Sequence, residues 1–311
     1  MNDPEIKSPR AKKGPPKPPF CLSIFNSPPF YLTLLLLSFY VGYFTATSNS
    51  SSSATSTSTN FSSQLQTTTT NFDNFRVANS CADPLPTDLI RETLINRIYR
   101  GASPFDNFPP PHVANTLRDR SLKGWGSKCA VFRHLIEEVR PKTIVEVGTF
   151  LGASAVHMAN LTRQLGLDDD ALILCIDDFR GWPGFNEQFR FINYVNGDVM
   201  LLYQFMQNVV YSNVTDVILP LPFSTGSTLS NLCQWGVTAD LIEVDAGHGF
   251  MSAWSDINRA FPLLRPGGVM FGHDYFRNAD GFGVRRAVNL FAKIYGFKVE
   301  IDGEHWVIRT S

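Results

Sequence analysis

Between residues 143 and 308, short β-branched runs alternate with amphipathic segments: 143–147, 172–176, 217–219, 240–244, 268–271, 297–301 and 306–308. Strands that alternate with helices build a parallel sheet covered on both faces, because each parallel return needs a crossover of about a dozen residues or more. Only residues 302–305 separate the last two runs, so these are expected to pair as an antiparallel hairpin. Two helices are predicted ahead of the first strand, over 84–100 and 129–139, with a Pro-rich turn at 109–111 between them. The expected fold class is therefore α/β, with a mostly parallel seven-stranded sheet and a C-terminal antiparallel hairpin.

The first 80 or so residues cannot contribute to that core, being rich in Pro, Ser and Thr. Lys7, Arg10, Lys12, Lys13 and Lys17 make the extreme N-terminus basic, and no charged residue follows between 18 and 72. Within that span, 30–44 reads FYLTLLLLSFYVGYF, an apolar run with aromatics at both ends. Its 15 residues fall short of the roughly 20 that cross a typical bilayer. Positive charge on the N-terminal side alone predicts a transmembrane signal-anchor of type II, with the remainder translocated. A cleaved signal peptide and an organelle transit sequence are the alternatives. The predicted organisation is a cytosolic tail at 1–27, an anchor at 28–46, a disordered Ser/Thr-rich stem at 47–84 and a folded domain at 85–311. Sequons at Asn49, Asn60, Asn160 and Asn213 fit a glycoprotein facing a secretory lumen such as the Golgi.

A net charge of −1 gives no sign of a nucleic-acid partner. Five cysteines without a CxxC pair exclude a thiolate zinc site of ordinary spacing. Cys21 and Cys175 read as small buried hydrophobes. In an oxidising lumen two of Cys81, Cys129 and Cys233 are expected to pair, in a combination the spacing leaves open.

Chemistry concentrates where strands end. The first strand and its turn read TIVEVGTFLGAS. Gly148 and Gly152 let the backbone approach a ligand, Thr149 lies between them, and the N–H groups of the following helix are free. The GxGxxG spacing of a dinucleotide site is absent. Glu146 suits an amine-bearing or cationic ligand, and Asp177, at the end of the second strand, is placed to accept ribose hydroxyls. The fourth strand ends DLIEVDAGH and the fifth GGVMFGHDY, which brings Asp245, His248, His273 and Asp274 to adjacent tips. Two carboxylates beside an imidazole suit a hard divalent cation and a general base.

EVGTFLGAS, CIDDF, DLIEVDAGHGF and LLRPGGVMFGHDY, with GVRRAVNLF behind, resemble the class I S-adenosylmethionine-dependent methyltransferases, nearest to the macrocin-type sugar O-methyltransferases and cephalosporin-hydroxylase-like proteins. The resemblance covers most of 129–308. It implies a Rossmann-like fold and S-adenosyl-L-methionine as cofactor, bound by Glu146, Gly148, Thr149, Gly152, Asp177 and Asp245. It also implies magnesium on Asp245, His273 and Asp274, with His248 as catalytic base. The acceptor implied is a hydroxyl on a glycan or small molecule; self-association into a homo-oligomer stays open. The competing readings are a hydroxylase-like activity and a membrane-anchored protein that keeps the fold without chemistry.

Overall fold

The computed structural model describes Arg76 and residues 80–167 and 171–310. One compact unit spans Thr69–Ser311. The expected cytosolic tail, anchor and almost all of the stem lie outside the described residues. Among the described residues no helix is long and apolar enough to cross a membrane.

Helix α1 (Thr87–Tyr99) leads into a short α2 (Pro111–Ala114) and then α3 (Ala130–Val139). The sheet opens with β1 (Thr143–Val147), followed by α4 (Ala153–Gln164) and β2 (Leu172–Ile176). A long crossover carries α5 (Phe185–Gln188), the small ladder of β3 (Tyr194–Val195) and β4 (Asp198–Val199), and α6 (Leu201–Tyr211). Then come β5 (Ile218–Leu221), α7 (Thr225–Gln234), β6 (Ala239–Val244), α8 (Phe250–Ala260), β7 (Leu264–Gly272), α9 (Gly283–Tyr295), β8 (Glu300–Asp302) and β9 (His305–Arg309).

The main sheet has the order β5-β2-β1-β6-β7-β9-β8. Every neighbouring pair from β5 to β7 is parallel, and β9 runs antiparallel to both β7 and β8. The short link before β9 forces this reversal: Ile301 faces Trp306 and Asp302 faces His305 across a turn containing Gly303. The strand order reverses at β1, so the crevice between the tips of β1 and β6 is the switch point where ligands of such sheets bind.

Both faces of β1 and β2 are buried at every residue, as expected of strands covered by helices on two sides. On one side α3, α4 and α6 supply Phe132, Leu135, Leu161 and Phe205 to the core. On the other, α1, α7, α8 and α9 supply Leu94, Leu232, Ile257 and Phe291. The repeat Val284, Ala287, Val288, Phe291 in α9 shows the three-and-four spacing that keeps one helical face on the sheet. Gly296, in the left-handed conformation, ends that helix.

The folded unit begins earlier than the expected boundary at residue 85. Cys81 is disulfide-bonded to Cys233 at the end of α7, and Ala82 N–H donates to the Cys233 carbonyl. This resolves the pairing left open by the sequence; Cys129 and Cys175 remain free thiols. A crosslink spanning 152 residues removes about 5 kcal/mol of unfolded-state entropy in the chain-entropy account.

Candidate active site

A cavity of about 990 Å³ opens above the C-terminal ends of β5, β2, β1, β6 and β7. At its floor the strand tips are locked together by backbone bonds: Gly148 N–H donates to the Ile176 carbonyl and Asp245 N–H to that of Val147. Gly148 has φ +94°, and a Cβ there would lie 2.1 Å from the Asp245 carbonyl oxygen, so only glycine fits this crossing.

The β1–β2 half of the cavity is built on buried carboxylates. Asp177 accepts from Phe150 N–H at 2.9 Å and from Phe179 N–H at 2.8 Å, which fixes it at the cavity wall while each oxygen keeps a further lone pair. Burial pushes its pKa up, against the pull of those two N–H groups. Thr149 and Gly148 also line the wall. Glu146 does not: it is fully buried beneath the turn, accepting from Thr149 Oγ1 at 2.6 Å and from Ser154 Oγ. Burial raises its pKa to about 7, with the Ser154 and Thr149 hydroxyls pulling the other way. Gly152 likewise stands behind the cavity, its missing Cβ replaced by the ring of Phe205. Both thus stand behind the cavity wall and shape the turn that faces it.

The β6–β7 half carries the reactive side chains. His248 Nε2 lies 2.8 Å from Asp274 Oδ2, and one ligand atom each from Asp245, His248 and Asp274 falls within a sphere of 4.8 Å separation. Asp274 sits at φ +62°, a left-handed conformation that costs energy for a residue with a Cβ and aims its carboxylate back at His248. Burial acts to raise its pKa, but His248 and His273 outweigh it and hold Asp274 well below the usual carboxylate range. Burial lifts Asp245 to about 6, opposed by His273.

His273, expected as a metal ligand, is not part of this trio. Its Nε2 lies 3.3 Å from Glu304 Oε2 on the β8–β9 turn, and its ring packs 4.8 Å from that of His305. Its Nδ1 lies 3.4 Å from Asp274 Oδ1, so His273 backs the trio from the side of the β8–β9 turn.

Two features escaped the sequence reading. Ser224 and Thr225 close the β5 end of the cavity, Ser224 as the cap of α7 and Thr225 through a 2.7 Å bond to Asp256; the Ser-Thr pair after a strand was the available signal. Trp125 lines the wall and stacks on Phe150 at 5.6 Å, from a loop with no periodicity to announce it. The aromatic crossover divides: Phe185 and Phe189 are buried in the core, whereas Trp182 is 42% exposed on the cavity.

A family model described as a methyltransferase domain matches residues 145–275, from within β1 to just past Asp274. Residues 145–275 form a methyltransferase domain. No curated protein sequence matches this chain. Among solved structures, an O-methyltransferase from Bacillus cereus in complex with SAH is similar at 15% identity, covering 70% of this chain and 96% of that one, with a TM-score of 0.43. The O-methyltransferase TomG from Streptomyces achromogenes, solved with SAM, gives 14%, 71%, 96% and 0.41. The methyltransferase PaMTH1 from Podospora anserina, bound to SAH, gives 16%, 73%, 89% and 0.42. The methyltransferase domain thus coincides with the stretch that supplies both halves of the cavity.

Proposed function

We propose that this methyltransferase transfers the methyl group of S-adenosylmethionine to a hydroxyl of a carbohydrate or small-molecule acceptor. The observation that carries this reading is the division of one cavity into a donor half, with Asp177 and the Gly148 turn, and a proton-handling half, with His248 paired to Asp274. Asp177 would accept the ribose hydroxyls, and the turn from Gly148 to Phe150 would pass beneath the donor's amino-acid end.

With Nε2–H donated to Asp274, His248 keeps the lone pair of Nδ1, and this nitrogen takes the acceptor's hydroxyl proton. The oxygen then attacks the methyl carbon; the carbon–sulfur bond breaks and its electron pair stays on sulfur, which neutralises the sulfonium. Holding the two reactants in line supplies much of the rate gain. Asp245 and Asp274 would hold a divalent cation such as magnesium, two carboxylates converging beside His248, whose Nδ1 lone pair stays free to act as the base. Such an ion would supply Lewis-acid activation of the hydroxyl.

The setting proposed is a secretory lumen such as the Golgi, with the chain anchored as a type II membrane glycoprotein. The Cys81–Cys233 disulfide supports an oxidising compartment. Asn160 and Asn213 are both exposed, as glycan acceptors must be.

The test is release of S-adenosylhomocysteine from S-adenosylmethionine across a panel of glycosides and phenols, with magnesium and with a chelator. Turnover on at least one hydroxyl acceptor is expected, and a rate lost to chelator and restored by magnesium supports an ion on Asp245 and Asp274. A panel of amine acceptors that reacts while every hydroxyl acceptor stays inert contradicts O-methylation.

A further inference from the structure

Beside the active-site cavity lies a second hollow of about 1160 Å³ that the mechanism does not use. One wall is the strap from Arg120 to Cys129, the other the outer face of α4 with His157 and Asn160. Gly124 and Ser127 line both cavities, so the hollow adjoins the site above the strand tips.

Its charge is one-sided in a chain whose net charge is only −1. Arg120, Lys123 and Lys128 line it together with His157, and no carboxylate does. Among the described residues neither Lys123 nor Lys128 forms an ion pair. Three acids of the neighbouring α3 and β8–β9 turn are engaged elsewhere: Glu137 with Arg133, Asp302 with His134 and Glu304 with His273. His157 registers the same field. Its pKa is lowered by burial and then by Lys128 and Arg133.

The wall is also preformed. Two buried amides of α6 clamp the strap's beginning: Gln204 bonds both backbone groups of Arg118, and Asn208 bonds both backbone groups of Ser121. Asn208 further donates to the Leu151 carbonyl, which ties the strap to the turn behind the donor half. Buried side-chain amides satisfied this completely hold a backbone in one position.

We infer that this cationic groove receives the anionic portion of the acceptor, a carboxylate or phosphate carried on the same molecule as the methylated hydroxyl. The inference rests on the methyltransferase reading, which places the reacting hydroxyl beside His248. The groove then selects acidic sugars or sugar phosphates over neutral ones through charge-assisted bonds from Lys123, Lys128 and Arg120.

The test measures binding to the full chain saturated with S-adenosylhomocysteine, using trigalacturonate, UDP-glucose and neutral maltotriose as probes. Because Asn160 stands at the groove's edge, the protein is made in a bacterial periplasm, without N-glycans. Salt-sensitive binding of trigalacturonate or of UDP-glucose is expected, maltotriose binding far more weakly, and whichever anion binds names the source of the charge. The Lys123→Glu/Lys128→Glu variant should weaken that binding by roughly tenfold or more, the size of losing charge-assisted contacts, while its affinity for S-adenosylhomocysteine stays unchanged. Binding of neither anion, equal binding by the variant, or equal binding of maltotriose overturns the inference. Failure of S-adenosylhomocysteine to bind at all would instead strike the methyltransferase reading, so the two failures are distinct.

Discussion

The two halves of the cavity are built on opposite principles. On the β1–β2 side the carboxylates are buried and held by backbone N–H groups or hydroxyls, as with Asp177 and Glu146, and the conformation depends on glycine at 148. On the β6–β7 side the functional groups satisfy one another, His248 against Asp274, with His248 partly open to solvent and Asp274 in a strained backbone conformation. The first arrangement presents fixed lone pairs and suits a ligand bound the same way in every cycle. The second has polar groups that exchange partners at small cost, which suits moving a proton. Binding and chemistry are thus separable by mutation.

The largest effect should follow from His248→Ala. Loss of the base should lower kcat by about 10²- to 10⁴-fold, with donor affinity unchanged by calorimetry. Loss of donor affinity in that variant would break the division between the halves. Next in size is Glu146. Its pKa of about 7 stands above the ordinary 4.5, so the folded state retains a proton that the unfolded chain releases. The stabilisation is complete below the unfolded value and is lost as pH rises through 7. Denaturant melts between pH 4.5 and 7.5 should show stability falling as pH rises, a slope that Glu146→Gln reduces. A pH-independent wild type would mean that the Thr149 and Ser154 hydroxyls keep the carboxylate charged.

Asp177→Asn should weaken S-adenosylmethionine binding by roughly tenfold, the size of one or two hydrogen bonds to a charged group, with kcat at saturating donor little changed. A drop in kcat at unchanged affinity would move Asp177 to the chemical side. The smallest effect is expected at Arg277, half-exposed and 3.6 Å from Asp274. An exposed pair of this kind is worth about 1 kcal/mol at most, so Arg277→Gln should change kcat/KM by less than about fivefold. A larger loss would mean that Arg277 touches the acceptor.

The same contrast governs what could be read from sequence. The strand–helix alternation, the terminal hairpin and the tip residues Asp177, Asp245, His248 and Asp274 were legible, because period and position at a strand end fix them locally. Glu146, Gly152 and His273 were recognised as special, but their packing partners could not be read. Each faces an element distant in sequence: Gly152 meets Phe205, His273 meets Glu304, and Glu146 lies beside Glu243 across β6. Trp125 was missed for the same reason, its role depending on Phe150 and on a strap clamped by α6. The disulfide was readable as a pair drawn from three cysteines. Its partners were fixed only when the end of α7 met the segment leading into α1.

The most direct test of the account is calorimetric titration of the full chain with S-adenosylmethionine, with NAD as control. The account predicts one site per chain for S-adenosylmethionine, weakened in Asp177→Asn and intact in His248→Ala, and no binding of NAD. A folded protein that binds no S-adenosylmethionine, or binds it equally well without Asp177, would contradict it.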